Sequence, residues 1–264
     1  MVPVVSLLAA SALAFQAGVP NGAPSVPPAA QGLRAADTAP PAVTAPKPDL
    51  SPETRGDIMM ARKMYREAAE FYRQGADKSA VLANKTGIAY HQQLDLANAK
   101  KWYERSIKLN PKYAEAINNL GTVYYAQKSY RRAIGQYRRA LVIAPTSASF
   151  LSNLGTAYFA RKQYEEAAKF YDQAVALDPD VFEHRGTQGT ILQERSVEEK
   201  ARFHYMMAKT SAKNGATERA IQYIRMAVEE GFKEKEKFLK EPEFAALQDD
   251  EDFKKIMGTE QKVL

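Results

Sequence analysis

The residues able to do chemistry are sparse and poorly grouped. The chain has three histidines, His91, His184 and His204, and no two stand at the H-x-x-x-H spacing that puts two ring nitrogens on one helical face for a metal. With no cysteine, disulfides, cysteine-ligated zinc, a thiol nucleophile and a lipid-modified cysteine anchor are all excluded. No G-x-S-x-G elbow, phosphate-binding Walker loop or dinucleotide fingerprint occurs. Carboxylates are plentiful, but Glu165-Glu166 and Glu229-Glu230 fall at positions expected of a solvated helix face. The expectation is a protein that is not an enzyme, with no cofactor, no metal and no small-molecule substrate.

Two other groups of residues suit binding. Lys128, Arg131, Arg132, Arg138 and Arg139, extended by Lys100, Lys101, Arg105, Lys108 and Lys112, make a basic stripe in a chain of net charge +6. Such a stripe with tyrosines nearby fits a polyanion, an anionic surface or an acidic partner. Nucleic acid is the disfavoured member of that set, because the tyrosines recur at core spacing and are not free to stack on bases. The second group is a series of asparagines, hydroxyls and aromatics, whose placement depends on the elements that carry them.

Those elements repeat. Gly87, Gly121 and Gly155 lie 34 residues apart, as do Tyr90, Tyr124 and Tyr158. The same period relates Ala99, Ala133 and Ala167, then Tyr103, Tyr137 and Tyr171, then Pro111, Pro145 and Pro179. Within one unit, Ile117, Leu120, Gly121 and Tyr124 share a helical face, and so do Tyr130, Ala133, Ile134, Tyr137, Ala140 and Leu141. Gln127-Lys128-Ser129 is the short link, so each unit is a pair of antiparallel helices. Gly121 and Ala133 permit close approach, and Pro145 ends the second helix. The pattern L-G-x-x-Y, A-x-x-x-Y, P resembles the tetratricopeptide repeat family.

The resemblance implies an all-α, right-handed superhelical solenoid of helix pairs with a C-terminal capping helix. Clear units are expected at 80–113, 114–147 and 148–181. A weaker one built on Gly56, Met59, Tyr65, Ala68, Tyr72 and Gly75 makes 53–181 four repeats. Residues 182–200 read as an inserted loop and 201–234 as a fifth repeat, with Ala208 where the packing glycine belongs. In 235–264, Phe244, Leu247, Phe253 and Ile256 would cover the open end, with Asp249 or Asp250 capping the last helix.

Upstream, 1–17 is apolar and uncharged and contains Ala12-Leu13-Ala14, the pattern of a signal peptide, although no basic residue precedes Arg34. Ten of the fourteen prolines precede residue 53, so 18–52 reads as a disordered Pro/Ala-rich linker. These features predict an exported bacterial protein, periplasmic or secreted. The alternative is an inner-membrane anchor, with the N-terminal segment as the membrane tether.

The resemblance also implies a concave groove lined by each first helix. By register, unit two supplies Asn84, Ile88 and His91, and unit three supplies Asn118, Asn119, Thr122 and Tyr125. Unit four supplies Ser152, Asn153, Thr156 and Phe159, and unit five would supply Tyr205 and Lys209. Amides, hydroxyls and aromatics suit an extended peptide. The expected function is therefore a protein-interaction module or scaffold holding a partner peptide or protein there, with Asn118, Asn119, Tyr125, Asn153 and Phe159 as the chief contacts. Asn119 and Asn153 match two asparagines of the clamp with which some members hold a carboxylate. The clamp's Lys-plus-Asn pair is absent from unit two, so that activity does not carry over. The rival reading is a structural part of an envelope assembly using the basic convex face, ahead of a nucleic-acid binder.

Overall fold

The structure, a computed structural model, describes residues 50–182 and 196–258. The signal-peptide expectation for 1–17, the linker expectation for 18–52 as far as residue 49, and most of the 182–200 loop lie outside the described residues, whereas Pro52, expected to end the linker, already begins the first helix. Among the described residues every regular element is a helix. Eight of them form four consecutive antiparallel pairs. These are α1 (Pro52–Ala61) with α2 (Tyr65–Arg73), α3 (Ala80–Gln92) with α4 (Leu96–Leu109), α5 (Ala114–Ala126) with α6 (Tyr130–Ile143), and α7 (Ala148–Ala160) with α8 (Tyr164–Leu177). A fifth pair, α9 (Val197–Lys213) and α10 (Thr217–Glu229), follows. Then come α11 (Glu236–Lys240), a 3-10 helix (Pro242–Leu247) and α12 (Glu251–Gly258). No described helix is long and apolar enough to cross a membrane.

Local chemistry sets the helix starts. Ser51, Ser79 and Ser147 accept from the backbone N–H three residues on, and Asp95 does the same for Asn98. The fifth pair begins at Val197, inside the stretch expected to be loop. Ser196 caps Glu199 while the Glu199 carboxylate reaches back to the Ser196 N–H, a capping box that starts the helix four residues early. Of the two candidate caps for the last helix, Asp250 is the one used, accepting from the Phe253 N–H at 3.1 Å.

Each link between the two helices of a pair turns through the left-handed region. Lys63, Leu94, Lys128 and Lys162 have φ between 57° and 60°, and the fifth link places Gly215 there at 74°.

The core is built from one contact used four times. Gly56, Gly87, Gly121 and Gly155 each face the ring of a tyrosine sixteen residues later: Tyr72, Tyr103, Tyr137 and Tyr171. All four rings are buried. A methyl group added at any of these glycines would stand 2.3 to 2.7 Å from ring carbons, far inside contact distance. In the fifth pair the same positions hold Ala208 and Ile224, both fully buried. The glycine's missing bulk and the tyrosine's ring are therefore two halves of one fit, and the last repeat replaces both together.

The two ends are closed differently. At the N-terminal end, the Asp57 carboxylate accepts from Tyr72 Oη at 2.7 Å and Lys85 Nζ at 2.8 Å, and Lys85 also reaches Glu53 at 2.7 Å. Burial alone would raise the Asp57 carboxyl, but the hydrogen bonds from Lys85 and Tyr72 outweigh it and hold it below its ordinary value. A depressed folded-state value stabilises above the unfolded value, near pH 4, and that stabilisation disappears as pH falls through the depressed one. Lowering pH from about 5 to about 2.5 should therefore shift the urea midpoint of the wild type more than that of Asp57→Asn. Parallel curves would show that this carboxylate carries no acid sensitivity.

At the C-terminal end, Phe238, Phe244, Leu247 and Phe253 are buried against the fifth pair. The 3-10 helix packs on α9 and α12 packs on α10.

Candidate peptide-binding face

The first helices of the pairs carry the asparagines singled out by register, and the structure connects them. Asn119 Nδ2 on α5 donates to Asn84 Oδ1 on α3 at 3.0 Å. Asn153 Nδ2 on α7 donates to Asn118 Oδ1 on α5, also at 3.0 Å. Asn118 Nδ2 closes the gap to Asn119 Oδ1 at 3.4 Å. Four amides thus form one ladder across three helices. Asn84 and Asn118 are buried within it, while Asn119 and Asn153 are half-exposed.

Around the ladder, Ile88, His91, Thr122 and Tyr125 are also half-exposed. His91 stands edge-on to Tyr103, centroids 6.3 Å apart, and burial pushes its pKa down, so the ring is neutral near pH 7. Tyr125 leans on Tyr130 at 5.3 Å. The Thr122 hydroxyl is turned inward and donates to the Asn119 carbonyl at 2.7 Å.

The register fails for much of unit four. Ser152 is 1% exposed and donates to the Ser149 carbonyl, and Thr156 accepts from Tyr171 Oη at 3.3 Å while itself buried. Phe159 is 1% exposed and packs edge-on against Tyr164 and Phe203. These three are core residues, as are Asn84 and Asn118 in part. For Phe159 the cause is the fifth pair, which sets Phe203 of α9 among Phe159, Tyr171 and Phe182. Asn153 remains the residue of α7 that faces outward beside the ladder.

In unit five, Tyr205 and Lys209 are half-exposed but engaged by the terminal segment. Tyr205 Oη donates to both oxygens of Glu241 at 2.7 Å, and Lys209 pairs with Glu241 at 3.0 Å and Glu243 at 3.3 Å. The terminal segment thus meets α9 through its own acids. Glu241 and Glu243 were not singled out by sequence, although acids on either side of Pro242 in an otherwise apolar cap were the available signal.

No described group of His, Asp and Glu is arranged to hold a metal. Of the basic stripe, Arg138 donates to the Tyr158 hydroxyl and lies over its ring, and Arg105 binds the Asp77 carbonyl and carboxylate. These cations are structural.

Residues 118–181 match a family model described as a tetratricopeptide repeat, and 87–128 match a second, described as a TPR repeat. No curated protein matches the chain. Among solved structures, a crystal structure of MamA is 18% identical over 66% of this chain and 93% of its own, with a TM-score of 0.47. MamA 41-end from Desulfovibrio magneticus RS-1 is 19% identical over 67% and 94%, with a TM-score of 0.48. The second TPR domain of human RPAP3, solved with the HSP70 peptide SGPTIEEVD, is 22% identical over 40% and 92%, with a TM-score of 0.39. At these values the likeness assigns no partner to this chain.

Proposed function

The chain is a tetratricopeptide-repeat protein, one of a family of protein–protein interaction modules, and we propose that it holds an extended stretch of a partner protein along α3, α5 and α7. The asparagine ladder carries this reading. A side-chain amide offers two N–H donors and two acceptor positions, and the ladder uses one donor on each of Asn119 and Asn153. Their remaining capacity matches the alternating N–H and C=O groups of an extended backbone. Tyr125 and the neutral His91 flank the ladder and offer flat surfaces to partner side chains.

Charge narrows the partner further. Lys85 is committed to Glu53 and Asp57, and Lys209 to Glu241 and Glu243. The face therefore favours a neutral or polar segment over a terminal carboxylate. Binding, not catalysis, is the activity, as is typical of the family.

A displayed library of linear peptides selected against the full chain tests the proposal. Selected peptides should bind the wild type and lose about tenfold or more in affinity with Asn119→Ala/Asn153→Ala and, separately, with Tyr125→Ala. Thermal melts confirm that each variant is folded. Peptides that bind all three proteins equally would place the interaction elsewhere.

A further inference from the structure

We infer that the start of α6 is a binding site for a phosphate group, separate from the amide-lined face and independent of it. A depression of about 500 Å³ opens at the link between α5 and α6. It is lined by Lys128, Ser129, Tyr130, Arg131 and Arg132 and, from the end of α7, by Arg161. Four of these six residues are cations, and no carboxylate is among them. Among the described residues none of the four has a salt-bridge partner. Arg132 lies over the Tyr124 ring at 5.8 Å, which holds its guanidinium in place without neutralising it.

The repeats supply the comparison that makes this cluster stand out. The N-terminus of a helix is its positive end and favours an anion. The second helices of the other pairs satisfy this with Glu67 in α2, the Asp95 cap in α4, Glu165 and Glu166 in α8, and Glu218 in α10. Arg131 and Arg132 occupy in α6 the places that Glu165 and Glu166 hold one period later. Ser129, in the place of Asp95, makes no side-chain cap. This helix start therefore gathers like charge where its siblings place opposite charge, and a bound anion would relieve it. Arg138, Arg105 and Arg139, by contrast, are occupied by Tyr158, Asp77 and the Pro111 carbonyl.

The donor set selects the anion. Three guanidinium forks match the several oxygens of a phosphate better than a single carboxylate would, and the helix start adds the backbone N–H groups of Tyr130 and Arg131, those of Ser129 and Arg132 being bonded to the Tyr124 and Ser129 carbonyls. The phosphate can belong to a soluble phosphoanion or to a lipid headgroup, and two measurements on the full chain separate these sources.

Pyrophosphate is titrated calorimetrically at constant ionic strength, and sedimentation is measured with phosphatidylcholine vesicles with and without phosphatidylglycerol. Each is repeated with Arg131→Ala/Arg161→Ala and with Arg225→Ala/Lys233→Ala, which removes equal charge from exposed positions of the fifth repeat and the segment after it. Saturable pyrophosphate binding weakened about tenfold by the first pair alone supports a soluble ligand. Retention only on phosphatidylglycerol vesicles, lost with the same pair, supports a headgroup. No saturable binding in either arm, or equal weakening by both pairs, overturns the inference. The melting temperature of Arg131→Ala/Arg161→Ala should hold or rise, since the substitutions relieve repulsion, so lost binding is not lost folding.

Discussion

Gly121→Ala is expected to destabilise the protein by about 1–3 kcal/mol, and Tyr137→Ile on that background to recover part of the loss. Two effects oppose each other. Alanine in place of glycine favours a helix by about 1 kcal/mol. The new methyl, however, would stand 2.6 Å from Tyr137 Cε1 and 2.7 Å from Cδ1. The ring is 2% exposed and cannot swing into solvent, so backbone or core must shift, and the steric cost wins. The fifth repeat shows the compensated form, with Ala208 and Ile224 in the same two places. A double-mutant cycle read by urea denaturation should give a coupling of about 1 kcal/mol or more in favour of the Ala–Ile pair. Additive effects would mean that glycine and tyrosine are not fitted to each other.

Phe244→Ala should cost about 3–5 kcal/mol locally, and the loss should begin at one end of the molecule. Phe244 is fully buried, 5.2 Å from the Phe238 ring and 6.4 Å from that of Tyr205. It belongs to the segment that covers α9. In a repeat array each unit is stabilised by its neighbours, so removing the cover exposes the fifth pair first. Native-state hydrogen exchange should show protection lost across 197–229 while 114–143 keeps most of its own. A uniform loss along the chain would instead indicate a single cooperative unit without end fraying.

The repeat architecture was legible because helical periodicity and the 34-residue spacing come from the same residues. Gly121, Ala133 and Tyr137 report both the local helix and its packing. The candidate face was legible only where the array continues regularly. Asn119, Tyr125 and Asn153 are half-exposed on the first helices, as their register implies. Phe159, Thr156 and Ser152 keep the same register but are buried; Phe159 meets Phe203, beyond a stretch that breaks the period, while Thr156 and Ser152 bond inside their own unit, to Tyr171 and the Ser149 carbonyl. Register says which way a side chain points from its own helix; it is silent on what arrives from a later one. The Glu241–Lys209 contact escaped for the same reason, being a pairing between segments with no shared spacing.

The ladder and the glycine–tyrosine contact divide the labour of encoding this molecule. Each Gly–Tyr fit lies inside one unit and closes its two helices on each other. Each long amide bond, 35 residues from donor to acceptor, lies between units. A stretch of DNA encoding one middle repeat therefore carries both a complete hairpin and, in Asn118-Asn119, an acceptor for the unit after it and a donor for the unit before. Such a cassette can be duplicated in place with its joints already matched. The last repeat lacks both devices, so the array is free to lengthen from its middle but not from its C-terminal end.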